Sequence, residues 1–423
     1  MADDFQFIRE TRKEKPLNRK RVLQHILETV VLAVIFGAVG CLTFVLLKPR
    51  IEQYFMPEEK TQISFTEPEQ LPEDDTENTD HQDDTKDEPE KVIIEKPATM
   101  DLTEYQALQN KMYAVGREAD KFIVSVTNVK NDTDIFNTPY ENKGIGSGVI
   151  IADTGEYLLI LTEKKTIQGA TSIRVTFVDD QTVKAELQQY DGNTGIAVLR
   201  VKTKDIEQDT RDQIAVAVLG TSVGVSQGQM VLAVGSPIGT IHSILTGNIT
   251  SNRNSISTMD CNYTVFTTDM VGSANAGGAL INTDGEIIGF ILQDYNMQKE
   301  QTTLAAVSIS ELKGVIELLS NDKPVPYLGM RISTVTDEIS ETYQMPKGVY
   351  VREVALDSPA MEAGFQSGDV ITQINGVSIA AAEDYEKLIL TLSDEQVIHI
   401  TYERQGAEDY ISLQSDVRVG VLE

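Results

Sequence analysis

Cysteine, histidine and tryptophan are all scarce in this 423-residue chain: two, four and none. Cys41 sits in an apolar run, far from Cys261, so there is no disulfide framework, and no C-x-x-C redox or metal motif exists. One histidine, His242, falls in the long middle region, where it reads as a loop residue without a role. No cluster of His, Cys, Asp and Glu has metal-ligand spacing, so neither a metal nor another cofactor is expected. Positive charge is also short: 36 Lys and Arg stand against 65 Asp and Glu, a net charge of −29. Phosphates would be repelled, which excludes nucleic acid as a partner. Much of that acidity is local, with 14 acidic and 2 basic residues between Glu58 and Glu90. The stretch 48–100 therefore reads as an extended, solvated linker that cannot bury enough apolar surface to fold.

Charge is missing altogether from Thr29 to Leu47, "TVVLAVIFGAVGCLTFVLL". At 1.5 Å rise per residue this run nearly spans a hydrocarbon core of about 30 Å. Arg12, Lys13, Lys15, Arg19, Lys20 and Arg21 precede it. The positive-inside rule then makes 1–28 a cytoplasmic tail and 29–47 a transmembrane signal anchor, with the main domains extracytoplasmic. A cleaved signal peptide fits less well, because the run is long and no small-x-small cleavage site follows Leu47.

Beyond the linker, 41% apolar content is enough for a real core. Asp101–Asp120 has helical spacing, with Leu102, Tyr105, Leu108, Met112 and Val115 recurring on one face. Short alternating segments follow, "KFIVSVTNV", "GSGVIIA", "YLLILT", "SIRVTFV", "KAELQQY", "GIAVLRV", "MVLAVGSP", "SILTGNITS", "YTVFTT" and "GEIIGFILQ", with turn residues between them. Strands at such regular spacing predict a mainly β barrel or sandwich. "SISELKGVIELLSN" predicts a helix with Ser308 or Ser310 as N-cap. A joint, "NDKPVPY", leads to a last segment with strands "YLGMRIS", "GVYVREV", "DVITQING", "IHITYER" and "YISLQ", and helices "DSPAMEAGF" and "AAEDYEKLILTL".

Five stretches in this order resemble the HtrA/Deg family: "GIGSGVII" (Gly144–Ile151), "GNTGIAVLRV" (Gly192–Val201), "GQMVLAVGSPIG" (Gly228–Gly239), "LTGNITS" (Leu245–Ser251) and the loop in "TTDMVGSANAGGALIN" (Thr267–Asn282). "GIGSG" alone resembles a nucleotide loop, but the βαβ context is missing. The resemblance implies a trypsin-like double six-stranded β-barrel over 101–320, then one PDZ domain over 321–423. It also implies where a Ser-His-Asp triad would lie. In "TEKKTIQGA" (Thr162–Ala170) Lys165 holds the histidine position; in "TGIAVL" (Thr194–Leu199) Gly195 holds the aspartate position; Ala276 holds the serine position. The loop whose amides build the family's oxyanion hole is Ala274, Asn275, Ala276 and Gly277, with Ala274 where the family has glycine.

Each replacement removes a role. Ala276 carries no hydroxyl, so it forms no acyl-enzyme. Lys165, ordinarily titrating near 10.4, is a cation at neutral pH and accepts no proton. Gly195 offers no carboxylate to orient a base. Ser273, Thr267 and Thr268 read as ordinary loop and strand hydroxyls rather than substitute nucleophiles. Asp269 or Glu163 is expected to pair with Lys165 and fill the cleft; a solvated Lys165 is the competing state.

The last segment keeps its recognition motif. "PYLGMRIS" resembles the carboxylate-binding loop of HtrA-type PDZ domains, which implies peptide capture by Tyr327, Leu328, Gly329 and Met330, with β-augmentation along the strand from Met330. "SPAMEAGFQSGDVITQINGVSI" (Ser358–Ile379) is similar to the PDZ scaffold, with Gly364, Gly368 and Gly376 at turns. Tyr385, Leu388 and Ile389 lie on the groove helix. The groove is either open or filled by the protein's own chain. Two functions compete: a membrane-anchored pseudoprotease binding polypeptide C-termini or unfolded segments as adaptor, chaperone or regulator, and an active HtrA-type serine endopeptidase with a non-standard nucleophile. The family's habits add a homotrimer or a mixed oligomer with an active relative, in a bacterial envelope.

Overall fold

Long runs of β-branched and aliphatic residues, broken every few positions by glycine and polar turns, build two barrels in succession. The structure is a computed structural model that describes residues 63–64, 101–133, 139–296 and 302–422, all within the compact unit Ile63–Glu423. The tail and anchor expected at 1–47, and nearly all of the linker, lie outside the described residues. Among the described residues no helix is long and apolar enough to cross a membrane. Within the expected linker Ile63 is held: its N–H donates to Asn321 Oδ1 at 3.0 Å and its C=O accepts from Asn321 Nδ2 at 2.9 Å.

Helix α1 (Leu102–Ala119) opens the folded region. Asp101 caps it by accepting from Glu104 N–H at 2.8 Å, while the Glu104 carboxylate accepts from Asp101 N–H at 3.1 Å. This reciprocal pair satisfies two otherwise orphaned donors of the first turn. The apolar stripe read from the sequence is only half used. Met112 is buried and Val115 packs on the core, whereas Leu102 and Tyr105 are exposed.

The first barrel is closed in the order β1-β2-β3-β6-β5-β4, from strands β1 (Ile123–Thr133), β2 (Pro139–Asp153), β3 (Tyr157–Glu163), β4 (Ser172–Thr176), β5 (Thr182–Tyr190) and β6 (Ile196–Lys202). Closure leaves no sheet edge unpaired. The second barrel is closed as β10-β11-β12-β9-β8-β7, from β7 (Met230–Ser236), β8 (Ser243–Ser257), β9 (Asn262–Val271), β10 (Gly277–Ile281), β11 (Ile287–Leu292) and β12 (Thr303–Ser308). Gly235 and Gly278 face each other across β7 and β10, and a Cβ on Gly235 would stand 2.8 Å from the Gly278 Cα, so two glycines let these strands approach. Helix α4 (Ile309–Ser320), counting the one-turn helices Lys164–Ile167 and Gln208–Arg211 as α2 and α3, buries Ile309, Leu312, Val315, Ile316 and Leu319 against a core shared by both barrels. Ser308 holds its N-cap position without a side-chain cap bond, and Ser310 Oγ instead accepts from Ser222 N–H at 2.8 Å.

The third module has its own core. Strands β13 (Pro326–Tyr327), β14 (Met330–Thr334), β15 (Val349–Val354), β16 (Val370–Ile374), β17 (Val377–Ser378), β18 (Val397–Gln405), β19 (Tyr410–Arg418) and β20 (Gly420–Val421) accompany α5 (Asp337–Tyr343), α6 (Pro359–Glu362) and α7 (Ala382–Ile389). The main sheet runs β14-β15-β16-β18-β19, which leaves β14 at its edge. Asp369 is buried and takes a two-pronged contact from Arg404, Nε at 2.6 Å and Nη2 at 2.8 Å, fixing the turn before β16.

Candidate functional site

Two places concentrate polar groups against the core. The first is a cleft where the end of β3, the start of β6 and the loop before β10 meet. Register explains the meeting: Glu163 pairs with Ile196 across β3 and β6, and Lys164 N–H donates to Gly195 C=O at 2.7 Å. A Cβ on Gly277 would meet Ser147 Oγ at 2.9 Å and Glu163 Oε1 at 3.0 Å, so the β10 start abuts both. Lys165, Gly195 and Ala276 therefore belong to one neighbourhood built by three separate stretches of chain.

That neighbourhood is filled from within. Lys165 Nζ lies 2.7 Å from Glu163 Oε2 and 3.1 Å from Asp294 Oδ2. The Glu163 side chain is 9% exposed and that of Lys165 38%. Burial pushes the Glu163 carboxyl up to about 7, against the pull of the Lys165 ammonium, while both carboxylates hold Lys165 above its ordinary value. Asp269, the other sequence candidate, turns elsewhere and accepts from Asn248 N–H at 2.7 Å and Asn248 Nδ2 at 2.9 Å. Those bonds hold its carboxyl below the usual range. Ser236 Oγ donates to Ser147 Oγ at 3.2 Å, and both hydroxyls are buried.

The loop from Ser273 to Gly277 is a tight turn. Ala276 is buried, and its N–H donates to Ser273 C=O at 3.0 Å. Asn275 N–H donates to Ser273 Oγ at 3.2 Å. An oxyanion hole needs amides aimed at the place where charge develops; here the Ala276 amide is committed to its own loop. Gly195 has φ +75° with nothing within 4 Å of an added Cβ, so the backbone there favours glycine although space is free. His242 lies away from this cleft. Its Nδ1 is 3.0 Å from Asp120 Oδ1, and that carboxylate raises the imidazole above its ordinary value.

The second place is the loop between β13 and β14. Leu328 N–H and Gly329 N–H donate to Asp260 Oδ2, both at 2.7 Å, and Met330 N–H donates to Asp260 Oδ1 at 3.1 Å. Tyr385 Oη on α7 adds a bond of 2.7 Å to the same Oδ1. In return, Asp260 N–H donates to Met330 C=O at 2.6 Å. Three successive amides make a concave anion seat. Gly329 is required there: its φ is +87°, and a Cβ would collide with Ser358. Of the other groove candidates, Tyr327 is half-buried, Leu388 packs against the module's core, and Ile389 is inside it. Beside the loop, Asn262 N–H and Nδ2 donate to Glu386 Oε1 at 2.8 and 2.9 Å, and burial pushes Glu386 up to about 7.

Sequence reasoning missed Asp260, Asp294 and Ser147. Asp260, in the β8–β9 turn, and Asp294, in the single helical turn Gln293–Tyr295, belong to no motif, and the meeting of distant segments gives them their partners. Among the described residues no group of His, Cys, Asp and Glu is arranged to hold a metal.

Comparison with known proteins follows the same division. A trypsin-like peptidase domain matches residues 146–290, and a PDZ domain matches residues 326–414. The chain is 31% identical over 272 residues to a probable periplasmic serine endoprotease DegP-like protein of Halomonas elongata, covering 63% of this chain and 55% of that one. It is 30% identical over 278 residues to the serine protease Do-like HtrB of Bacillus subtilis, covering 60% of this chain and 58% of that one. The match thus spans less than two thirds of those relatives' length. The solved structure of the HtrA-type protease AlgW with decapeptide shares the fold at 23% identity, with a TM-score of 0.52 over 74% of this chain and 99% of that one.

Proposed function

This chain belongs to the HtrA/Deg family of trypsin-like peptidase domains followed by a PDZ domain, and from that premise we propose that it is a pseudoprotease, a polypeptide-binding member without triad-based hydrolysis. The observation that carries this reading is the loop at Ala276. The residue at the nucleophile position has no oxygen, and its amide is spent on Ser273 C=O at 3.0 Å. Attacking atom and oxyanion donor are lost together. The base position supports the same reading, since Lys165 sits between Glu163 and Asp294 as a cation rather than an acceptor. Loss of a nucleophile or base from a triad costs on the order of a millionfold in turnover, about 8 kcal/mol of barrier.

Recognition is the work left over. The PDZ loop still presents three amides to a carboxylate, and β14 is a sheet edge able to accept a peptide strand. The function proposed is capture of polypeptide C-termini or unfolded segments, as an adaptor, chaperone or regulator on the extracytoplasmic side, with 29–47 as the membrane anchor. The family relationship supports assembly as a homotrimer or with an active relative.

Purified protein incubated with unfolded casein and with a fluorophosphonate probe tests the reading. The expected result is no turnover above buffer and no covalent label. Casein cleavage at a rate near that of an HtrA-type protease, or label traced to a serine of this chain, overturns it in favour of a non-standard nucleophile.

A further inference from the structure

Asp260 stands at the tip of the β8–β9 hairpin, at φ +60° and 6% exposed. A carboxylate so deeply buried loses its hydration at a large cost unless protein donors replace the water. Here the donors are Leu328, Gly329 and Met330 amides and the Tyr385 hydroxyl, all within 3.1 Å. The bond in the opposite sense, Asp260 N–H to Met330 C=O at 2.6 Å, engages the first residue of the edge strand. A carboxylate in the amide loop, with the same residue's N–H on the edge strand, is how a peptide's last residue is held in β-augmentation. The side chain of Asp260 supplies the first element and its backbone the second.

We infer that Asp260 is an internal ligand of the PDZ loop, occupying in cis the seat of a peptide's terminal carboxylate, so that an external C-terminus binds only when the hairpin tip withdraws. A permanent brace is the alternative, and the surroundings of the tip argue against it. The contacts of the tip beyond the carboxylate are polar: Asn193 Nδ2 to Met259 C=O at 2.6 Å and to Thr258 Oγ1 at 3.2 Å, and Ser257 Oγ to Ile332 C=O at 3.5 Å, with Asn262 bonded to Glu386. The apolar packing lies at its base, where Ile256 and Cys261 meet the core. A cavity of about 350 Å³ adjoins the tip, lined in part by Ser257, Thr258, Met259, Asp294 and Arg331. Arg331 Nε in that region is buried without a hydrogen-bond partner. The tip itself, residues 258–260, flanked by a cavity and polar contacts, has little apolar burial to lose when it opens locally. The displacing group is also chemically like the displaced one, so the amides exchange one carboxylate for another and none is left unsatisfied. A tethered competitor acts at an effective concentration in the millimolar range, which weakens the apparent affinity of a free peptide by the same occupancy.

The consequence for binding rests on the PDZ domain being a peptide binder; the geometry does not. The test uses the full chain and its Asp260→Asn and Asp260→Gly variants, Asn being nearly isosteric and Gly suited to the positive φ. Two quantities are read: hydrogen exchange over residues 326–331, and anisotropy of a dye-labelled mixture of decapeptides with apolar last residues, as free acids and as C-terminal amides. The expected result is at least tenfold faster exchange in the variants and at least tenfold tighter binding of the acids, with the amides unchanged. Faster exchange without any peptide binding supports the internal ligand and removes the peptide-binding function. Equal binding by wild type and variants keeps that function and overturns the internal ligand, as does unchanged exchange. Should neither variant fold by circular dichroism, the wild type decides alone: residues 326–331 exchanging like an open loop before any peptide is added overturns the inference, and protection released by the free acids but not the amides supports it.

Discussion

The cleft between the barrels and the PDZ loop are both occupied by the protein's own side chains, yet the two occupations differ in kind. In the cleft one ammonium lies between two carboxylates, 2.7 and 3.1 Å away, and is held by both. In the PDZ loop a carboxylate takes the place of another carboxylate and every donor keeps its use. Changed residue identity cannot be undone by a ligand, whereas occupancy can. On the function proposed above, one site is closed by composition and the other by competition.

The sharpest way to break this comparison is to introduce Lys165→His, Gly195→Asp and Ala276→Ser together. Composition alone would predict renewed proteolysis, but the Ala276 amide is turned to Ser273 and Glu163 fills the space beside Gly277. Casein turnover by the triple variant is expected to stay several orders of magnitude below that of an HtrA-type protease, out of the roughly millionfold at stake. Turnover near that of such a relative would show that the loop resets freely.

A smaller effect separates pairing from filling in the cleft. Lys165→Met leaves Glu163 buried without its cation and is expected to cost about 1–3 kcal/mol at pH 8, less than a fully buried pair because Lys165 is partly solvated. Denaturant titration reads it. The cost should shrink at pH 5, where Glu163 can protonate. The sign follows from linkage: Glu163 rises from 4.5 to about 7 on folding, so its contribution is fully present below pH 4.5 and is lost as pH rises toward 7. Glu163→Gln should flatten that slope between pH 4.5 and 7.

The smallest predicted change probes the PDZ side. Tyr385→Phe removes one of the four donors to Asp260 while keeping the buried ring. A hydrogen bond to a charged group contributes roughly 1.5 kcal/mol, so exchange over 326–331 should rise about tenfold, with no change in stability of the cleft toward pH. An unchanged rate would mean that the amides alone hold Asp260.

How much of this was legible in the sequence differs by region. Strand alternation and the turn residues predict a barrel or sandwich, because period-two patterning reports burial directly, and the resemblance to HtrA adds that there are two barrels. The five ordered motifs point to Lys165, Gly195 and Ala276 by resemblance, and the Tyr-Leu-Gly-Met run points to the loop whose three amides meet Asp260. For Lys165 the sequence leaves Glu163, Asp269 and bulk solvent open; the structure pairs it with Glu163 at the end of β3 and with Asp294, whereas Asp269 faces Asn248 across β9 and β8. Asp260 had no signal at all. It lies 68 residues before Leu328 in the chain, in a turn whose "TMDCN" reads as any polar hairpin tip. Contacts between modules leave no periodicity. The spacing at Asp101–Asp120 predicts a helix and α1 is one; which of its apolar residues find cover is not in the spacing, and among the described residues Met112 and Val115 do.

Gly195 has φ +75°, and an added Cβ there meets nothing within 4 Å. The left-handed region costs most side chains about 1–2 kcal/mol, with asparagine and aspartate the tolerated exceptions. Asp180, Asp260, Asp322 and Asp357 already adopt positive φ in this chain. The backbone at Gly195 therefore admits an aspartate, so a carboxylate introduced there reports on chemistry and not on misfolding.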